Sequence, residues 1–172
     1  TTLANALLAE IAATGDRVVI LEDTRELQCA AEDVVQMRTQ PGVASLSDLV
    51  RSTLRLRPDR IIIGEVRGGE ALDMLKAWNT GHPGGIATLH ANSALAGLHR
   101  LGQLIGEFSA NIPHELIAEA IDCVVFIARR GGWRRVETVA RLNGLTSDGY
   151  ALSPVSPDLS LVGGANPQRR PK

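Results

Sequence analysis

Lysine is nearly missing from this chain. Among 172 residues there are only Lys76 and Lys172, against sixteen arginines. Cysteine is equally scarce: Cys29 and Cys123 stand far apart and in no CxxC pair. That excludes a zinc-ribbon spacing and a disulfide framework and fits a reducing, cytoplasmic setting. Aromatic residues make up 3% and the net charge is −1. With no basic aromatic stripe and no global positive field, direct nucleic-acid binding is not expected. The longest apolar runs, such as Ile61-Ile62-Ile63, fall far short of the roughly 20 residues a membrane span needs. The opening residues also lack a signal peptide's basic flank and apolar stretch.

What is present reads as a globular domain, with 44% hydrophobic and 22% charged residues. A chain of this length buries about 70% of the surface its unfolded form exposes, enough for one core. Leu3, Leu7, Leu8, Ile11 and Ala12 recur at helical spacing before a stop at Gly15. The β-branched run from Arg17 to Leu21 reads as a buried strand ending in Glu22-Asp23. A polar, helix-poor stretch follows through Pro41-Gly42. Ser47 and Asp48 then open an amphipathic helix carrying Leu49, Val50, Leu54 and Leu56, which Pro58 ends. A second buried strand spans Arg60 to Gly64, and a helix spans Glu70 to Asn79. The loop Thr80 to Gly85 feeds a short strand from Ile86 to Leu89, and Ser93 caps a helix through Leu104 and Ile105. After a short helix from Ile112, the segments from Asp122 to Ala128 and from Trp133 to Leu142 pair as a hairpin turning at Gly131-Gly132. From Ser153 the composition shifts to Pro, Ser, Gly and Asn, which predicts a flexible tail over 153–172 behind a domain at 1–152.

Strands alternating with helices imply an α/β fold with a mainly parallel central sheet. Ligands of such sheets lie beyond the carboxyl ends of the strands. Polar residues fall at three such ends: Glu22-Asp23, Glu65 and His90. Each has a plain structural reading when taken alone. Thr1-Thr2 at a helix start is a cap, or the hydroxyl that holds Mg²⁺ in a phosphate-binding loop of the form GxxxxGK[ST]. Glu22, Asp23 and Glu26 form a solvated acidic turn, or hold metal-bound waters. Glu65 at the end of an Ile-rich strand is a surface carboxylate, or one that polarises a water or holds Mg²⁺. His82 and His90 bracket a glycine-rich turn and strand that permit close approach of a ligand.

Four segments occur in order: Thr-Thr-Leu at 1–3, Leu-Glu-Asp-Thr-Arg-Glu-Leu at 21–27, Arg-Pro-Asp-Arg-Ile-Ile-Ile-Gly-Glu-Val-Arg-Gly-Gly-Glu-Ala at 57–71, and Thr-Gly-His-Pro-Gly-Gly-Ile-Ala-Thr-Leu-His-Ala-Asn at 80–92. Together they resemble the end of the Walker A motif, the Asp box, the Walker B motif and the His box of the traffic ATPases of type II and type IV secretion, pilus assembly and conjugation. The resemblance covers roughly residues 1 to 140. Its His box, with Pro83, is most similar to the TrbB-like conjugal transfer branch. It implies a RecA-like P-loop NTPase core whose N-terminal strand and P-loop precede Thr1, with ATP and Mg²⁺ as ligands. It also implies a hexameric ring of sister subunits, cytoplasmic and peripheral to the inner membrane, that works with secretion or conjugation machinery. By position, Thr1 would bind Mg²⁺ and Thr2 would approach the phosphates. Glu22 and Glu26 would be carboxylates near the metal, Glu65 would position the attacking water and also lie at the metal, and His90 would lie near the γ-phosphate. Arg25, Arg38, Arg51, Arg55 and Arg67 are candidates for phosphate contact or action in a neighbouring subunit.

Two departures accompany the resemblance. The Walker B strand ends in Gly64-Glu65 rather than in two acids, a variant the family itself uses. The glycine loop and its lysine are absent, and neither Lys76 nor Lys172 stands where it could replace that lysine. The expectation is therefore an ATPase domain whose isolated 172 residues are inactive. The alternatives are a pilus or type II secretion ATPase, and a subunit-interaction module that binds no nucleotide.

Overall fold

The computed structural model describes residues 1–155; the remainder of the expected tail, 156–172, lies outside the described residues. Among the described residues, five α-helices and seven strands follow in the order α1 (Thr2–Ile11), β1 (Val18–Glu22), β2 (Val34–Arg38), α2 (Leu46–Thr53), β3 (Arg60–Ile63), α3 (Glu70–Asn79), β4 (Ile86–Ala87), α4 (Ala94–Gly106), α5 (His114–Ala120), β5 (Cys123–Arg130), β6 (Trp133–Thr146) and β7 (Gly149–Pro154). The first four strands form one parallel sheet in the order β2-β1-β3-β4. The last three form an antiparallel sheet in the order β5-β6-β7.

The Val and Ile runs dictate the centre of the molecule. All five residues of β1 are buried, as are Ile61, Ile62 and Ile63 of β3. Strands covered on both faces lose the polar alternation that a half-solvated strand shows. Side-chain alternation then divides the core in two. Val19, Leu21, Ile61 and Ile63 pack with α2, α3, α4 and α5, while Val18, Ile20 and Ile62 pack with Ala4 and Leu8 of α1 and with Leu27 and Ala31. The antiparallel sheet joins the first cluster through Leu142 and Tyr150.

Several boundaries differ from the sequence reading. β2 was not expected. It is a half-buried edge strand, and Gln36 and Arg38 break the apolar signal that burial on both faces produces. α2 begins one residue early, at Leu46, because Ser45 and Asp48 form a reciprocal capping box: the Ser45 Oγ accepts from the Asp48 N–H and the Asp48 carboxylate accepts from the Ser45 N–H. Leu54 and Leu56 lie in a 3₁₀ turn rather than in that helix. β4 stops at Ala87; just beyond it the Thr88 hydroxyl donates to the Gly64 carbonyl and the Thr88 carbonyl accepts from the Val66 N–H. β6 runs on to Thr146, and β7 crosses the expected tail boundary at Ser153.

Gly85 shows why the loop before β4 is glycine-rich. A Cβ there would lie 2.1 Å from Trp78 Nε1, the indole nitrogen that donates to the Ile61 carbonyl. Only a bare backbone lets that indole reach β3.

Candidate functional site at the carboxyl ends of the parallel strands

Because β1, β3 and β4 run parallel, the residues that follow them emerge at one edge of the sheet. Glu65, two residues past β3, is the hub. One carboxylate oxygen accepts from the Arg67 guanidinium at 2.5 Å, and the other lies 3.2 Å from His90 Nε2. The Arg67 hydrogen bond, then the charges of Arg67 and His90, hold the Glu65 carboxyl below its ordinary value. The Arg67 guanidinium is in turn raised, first by Glu65 and then by Asp23 and Glu26. Both the Arg67 and His90 side chains remain largely solvent-exposed.

The first strand contributes through a loop. Glu22 is buried, at 3% exposure, and one of its oxygens accepts the backbone N–H groups of Glu26 at 2.9 Å and Leu27 at 2.7 Å. This fixes the turn from which exposed Glu26 reaches the Thr1 hydroxyl, which donates to its carboxylate at 2.6 Å. Glu22 thus stands behind the site and Glu26 in front of it. Gly64, the departure from two acids, now has a reason: a Cβ there would lie 3.1 Å from Glu22 Cγ. Thr2 begins α1 and is exposed. Asp23 accepts from the Thr39 hydroxyl and lines a cleft with the 39–46 segment, Arg67, Gly68 and Glu70.

The structure sorts the five arginines. Arg67 belongs to the cluster, whereas Arg51 ties α2 to α3 through Asp73. Arg38 ends β2 beside Glu22 in register, Arg55 lies in the 3₁₀ turn after α2, and Arg25 is on the exposed turn between Glu22 and Glu26. Sequence reasoning passed over Glu70, whose carboxylate accepts from the N–H groups of Arg67 and Gly68 and so shapes the turn that aims Arg67. Its position at the first turn of α3 was the available signal. His82 does not join the cluster; its Nδ1 lies 3.2 Å from the Ala77 carbonyl at the end of α3.

The donors Thr1, Glu26 and Glu65 are hard oxygens of the kind Mg²⁺ accepts. Among the described residues no group of three or more His, Cys, Asp or Glu could hold a metal ion unaided. Mg²⁺ commonly binds through one or two carboxylates together with phosphates and waters, so the donor set fits that ion when it arrives with a phosphate ligand.

Comparison with known proteins places the chain in a family. The family described as Type II/IV secretion system protein matches residues 1–130. The conjugal transfer protein TrbB of Rhizobium radiobacter is 55% identical over 152 residues, covering 87% of this chain and 47% of that protein. The type IV secretion system protein PtlH of Bordetella pertussis is 38% identical over 161 residues, covering 84% of this chain and 47% of that one. Among solved structures, the VirB11 ATPase of Brucella suis superposes with a TM-score of 0.67 at 29% identity, over 73% of this chain and 40% of its own. The chain spans about half the length of the curated relatives it matches. On the family match over most of its length and on a RecA-like parallel sheet with these boxes at its carboxyl edge, the chain belongs to the type II/IV secretion system protein family.

Proposed function

We propose that this chain is the ATP-hydrolysing domain of a motor for conjugative transfer or type IV secretion, working in a ring of identical subunits at the cytoplasmic face of a membrane. One observation carries the reading. Carboxylates, an arginine and a histidine from the ends of three adjacent parallel strands converge on one edge. The relatives named TrbB and the VirB11 ATPase support the conjugation and secretion branch.

In this reading Thr1 and Glu65 hold Mg²⁺, partly through water, with Glu26 beside them and Glu22 setting the Glu26 turn. Bound Mg²⁺ supplies neutralisation of phosphate charge. Thr2 approaches the phosphates. Glu65, held acidic by Arg67, is a weak proton acceptor; it suits orienting a water by hydrogen bonding better than full proton abstraction. Arg67 exchanges its bond to Glu65 for a phosphate oxygen, and His90 lies beside the terminal phosphate. Charge at the β- and γ-oxygens still calls for a lysine. Lys76 lies about six residues into α3, roughly 9 Å along the axis from the helix end that faces the site. We therefore assign the active unit to these residues joined to a glycine loop and lysine upstream of Thr1.

The test is ATP turnover with Mg²⁺. Residues 1–172 are expected to show none, and the chain extended through that loop is expected to hydrolyse ATP and to lose turnover on Glu65→Gln. Turnover by residues 1–172 that Glu65→Gln abolishes would refute the need for the lysine. An extended protein indifferent to Glu65→Gln would refute the site.

A further inference from the structure

The run Arg129-Arg130-Gly131-Gly132-Trp133-Arg134-Arg135 forms the turn and flanks of the β5–β6 hairpin. Gly131 and Gly132 both take positive φ, at 57° and 88°, as a tight two-residue hairpin turn requires. Low net charge concealed this cluster in the sequence; it is a basic aromatic patch after all. The register sets Arg129 opposite Arg134, and like charges directly across a ladder are destabilising. Arg129, Arg134 and Arg135 are exposed, and among the described residues none of the three makes an ion pair.

Apolar surface accompanies the charge. Trp133 is 74% exposed, and Val136 and Ile127, paired across the strands, are 53% and 39% exposed. The sheet meets the core elsewhere, through Ala140, Leu142 and Tyr150. The tip therefore presents cations and an indole, with the partly exposed Ile127 and Val136 on the face opposite Trp133.

We propose that this hairpin tip docks on a membrane surface carrying anionic phospholipid headgroups. Guanidinium groups pair with lipid phosphates, an indole is favoured at the headgroup level, and Val136 and Ile127 gain from partial entry at the acyl boundary. A single-stranded nucleic acid would reward the arginines and Trp133 but not the aliphatic pair. The proposal does not depend on nucleotide binding.

The test is cosedimentation of residues 1–172 with vesicles of mixed phosphatidylcholine and phosphatidylglycerol, against phosphatidylcholine alone. The protein is expected to bind the anionic vesicles, to release at high salt, and to show a blue shift of Trp133 emission that Trp133→Phe removes. Arg134→Gln with Arg135→Gln should lower partitioning by about 30-fold, and Arg129→Gln alone by about fivefold. Unchanged thermal midpoints of these surface variants establish that folding is intact. Equal binding to neutral vesicles, or partitioning insensitive to all three arginines, overturns the proposal. So does binding to a single-stranded oligonucleotide, or self-association, that needs these arginines while vesicle binding is absent.

Discussion

Replacing Glu22 by Ala tests how the site is built. Its carboxylate is the acceptor for two backbone N–H groups, those of Glu26 and Leu27, in a setting where Glu22 and Leu27 are each 3% exposed. Deleting the acceptor leaves both donors unsatisfied at about 1–3 kcal/mol each, so a loss of about 4 kcal/mol is expected. For a domain of this size that lowers the thermal midpoint by about 8–16 °C. Glu22→Gln keeps an oxygen in place and loses only the charge-assisted part, about 1 kcal/mol or about 2–4 °C. Thermal unfolding followed by circular dichroism reads the two midpoints. Amide hydrogen exchange adds a local signal, with protection at Glu26 and Leu27 lost in the Ala variant and kept in the Gln variant. Equal shifts for Ala and Gln, or retained protection in the Ala variant, would show that Glu22 does not hold the loop.

Two titrations follow from the perturbed groups. Arg67→Ala removes the main cause of the lowered Glu65 value, so the Glu65 carboxyl should titrate at higher pH by ¹³C chemical shift. A depressed folded-state value stabilises above the unfolded value and is lost as pH falls through the folded one. The wild-type contribution should therefore persist to lower pH than in Arg67→Ala, and identical acid-unfolding curves would contradict this. Tyr150, the single tyrosine, is pushed up to about 12 by burial and then by Glu115. Neutral Tyr150 thus stabilises below about pH 10 and loses that contribution as pH rises towards 12. Absorbance at 295 nm should show no phenolate until beyond the ordinary range, and ionisation near pH 10 in the folded protein would refute the burial argument.

The strands that were legible are those buried on both faces, β1 and β3, because such burial demands continuous apolar runs. β2 was illegible since an edge strand tolerates Gln36 and Arg38. β7 was missed because its Gly, Ser and Pro content resembles a linker, although Tyr150 and Leu152 join the core. The chemistry at the sheet edge was legible as types and order, with Glu22 closing β1, and Glu65 and His90 two and three residues past the ends of β3 and β4.

By itself the sequence determined the parallel α/β core, the order of the boxes and the scarcity of lysine, since these depend on residue type and local periodicity. Only the tertiary structure decided the division of labour. It set Glu22 behind the site and Glu26 in front, selected Arg67 from five arginines, and gave Gly64 its reason in the Glu22 side chain. The Thr1–Glu26, His90–Glu65 and Gly64–Glu22 contacts join residues on different segments and are fixed by strand register and burial rather than by neighbours along the chain.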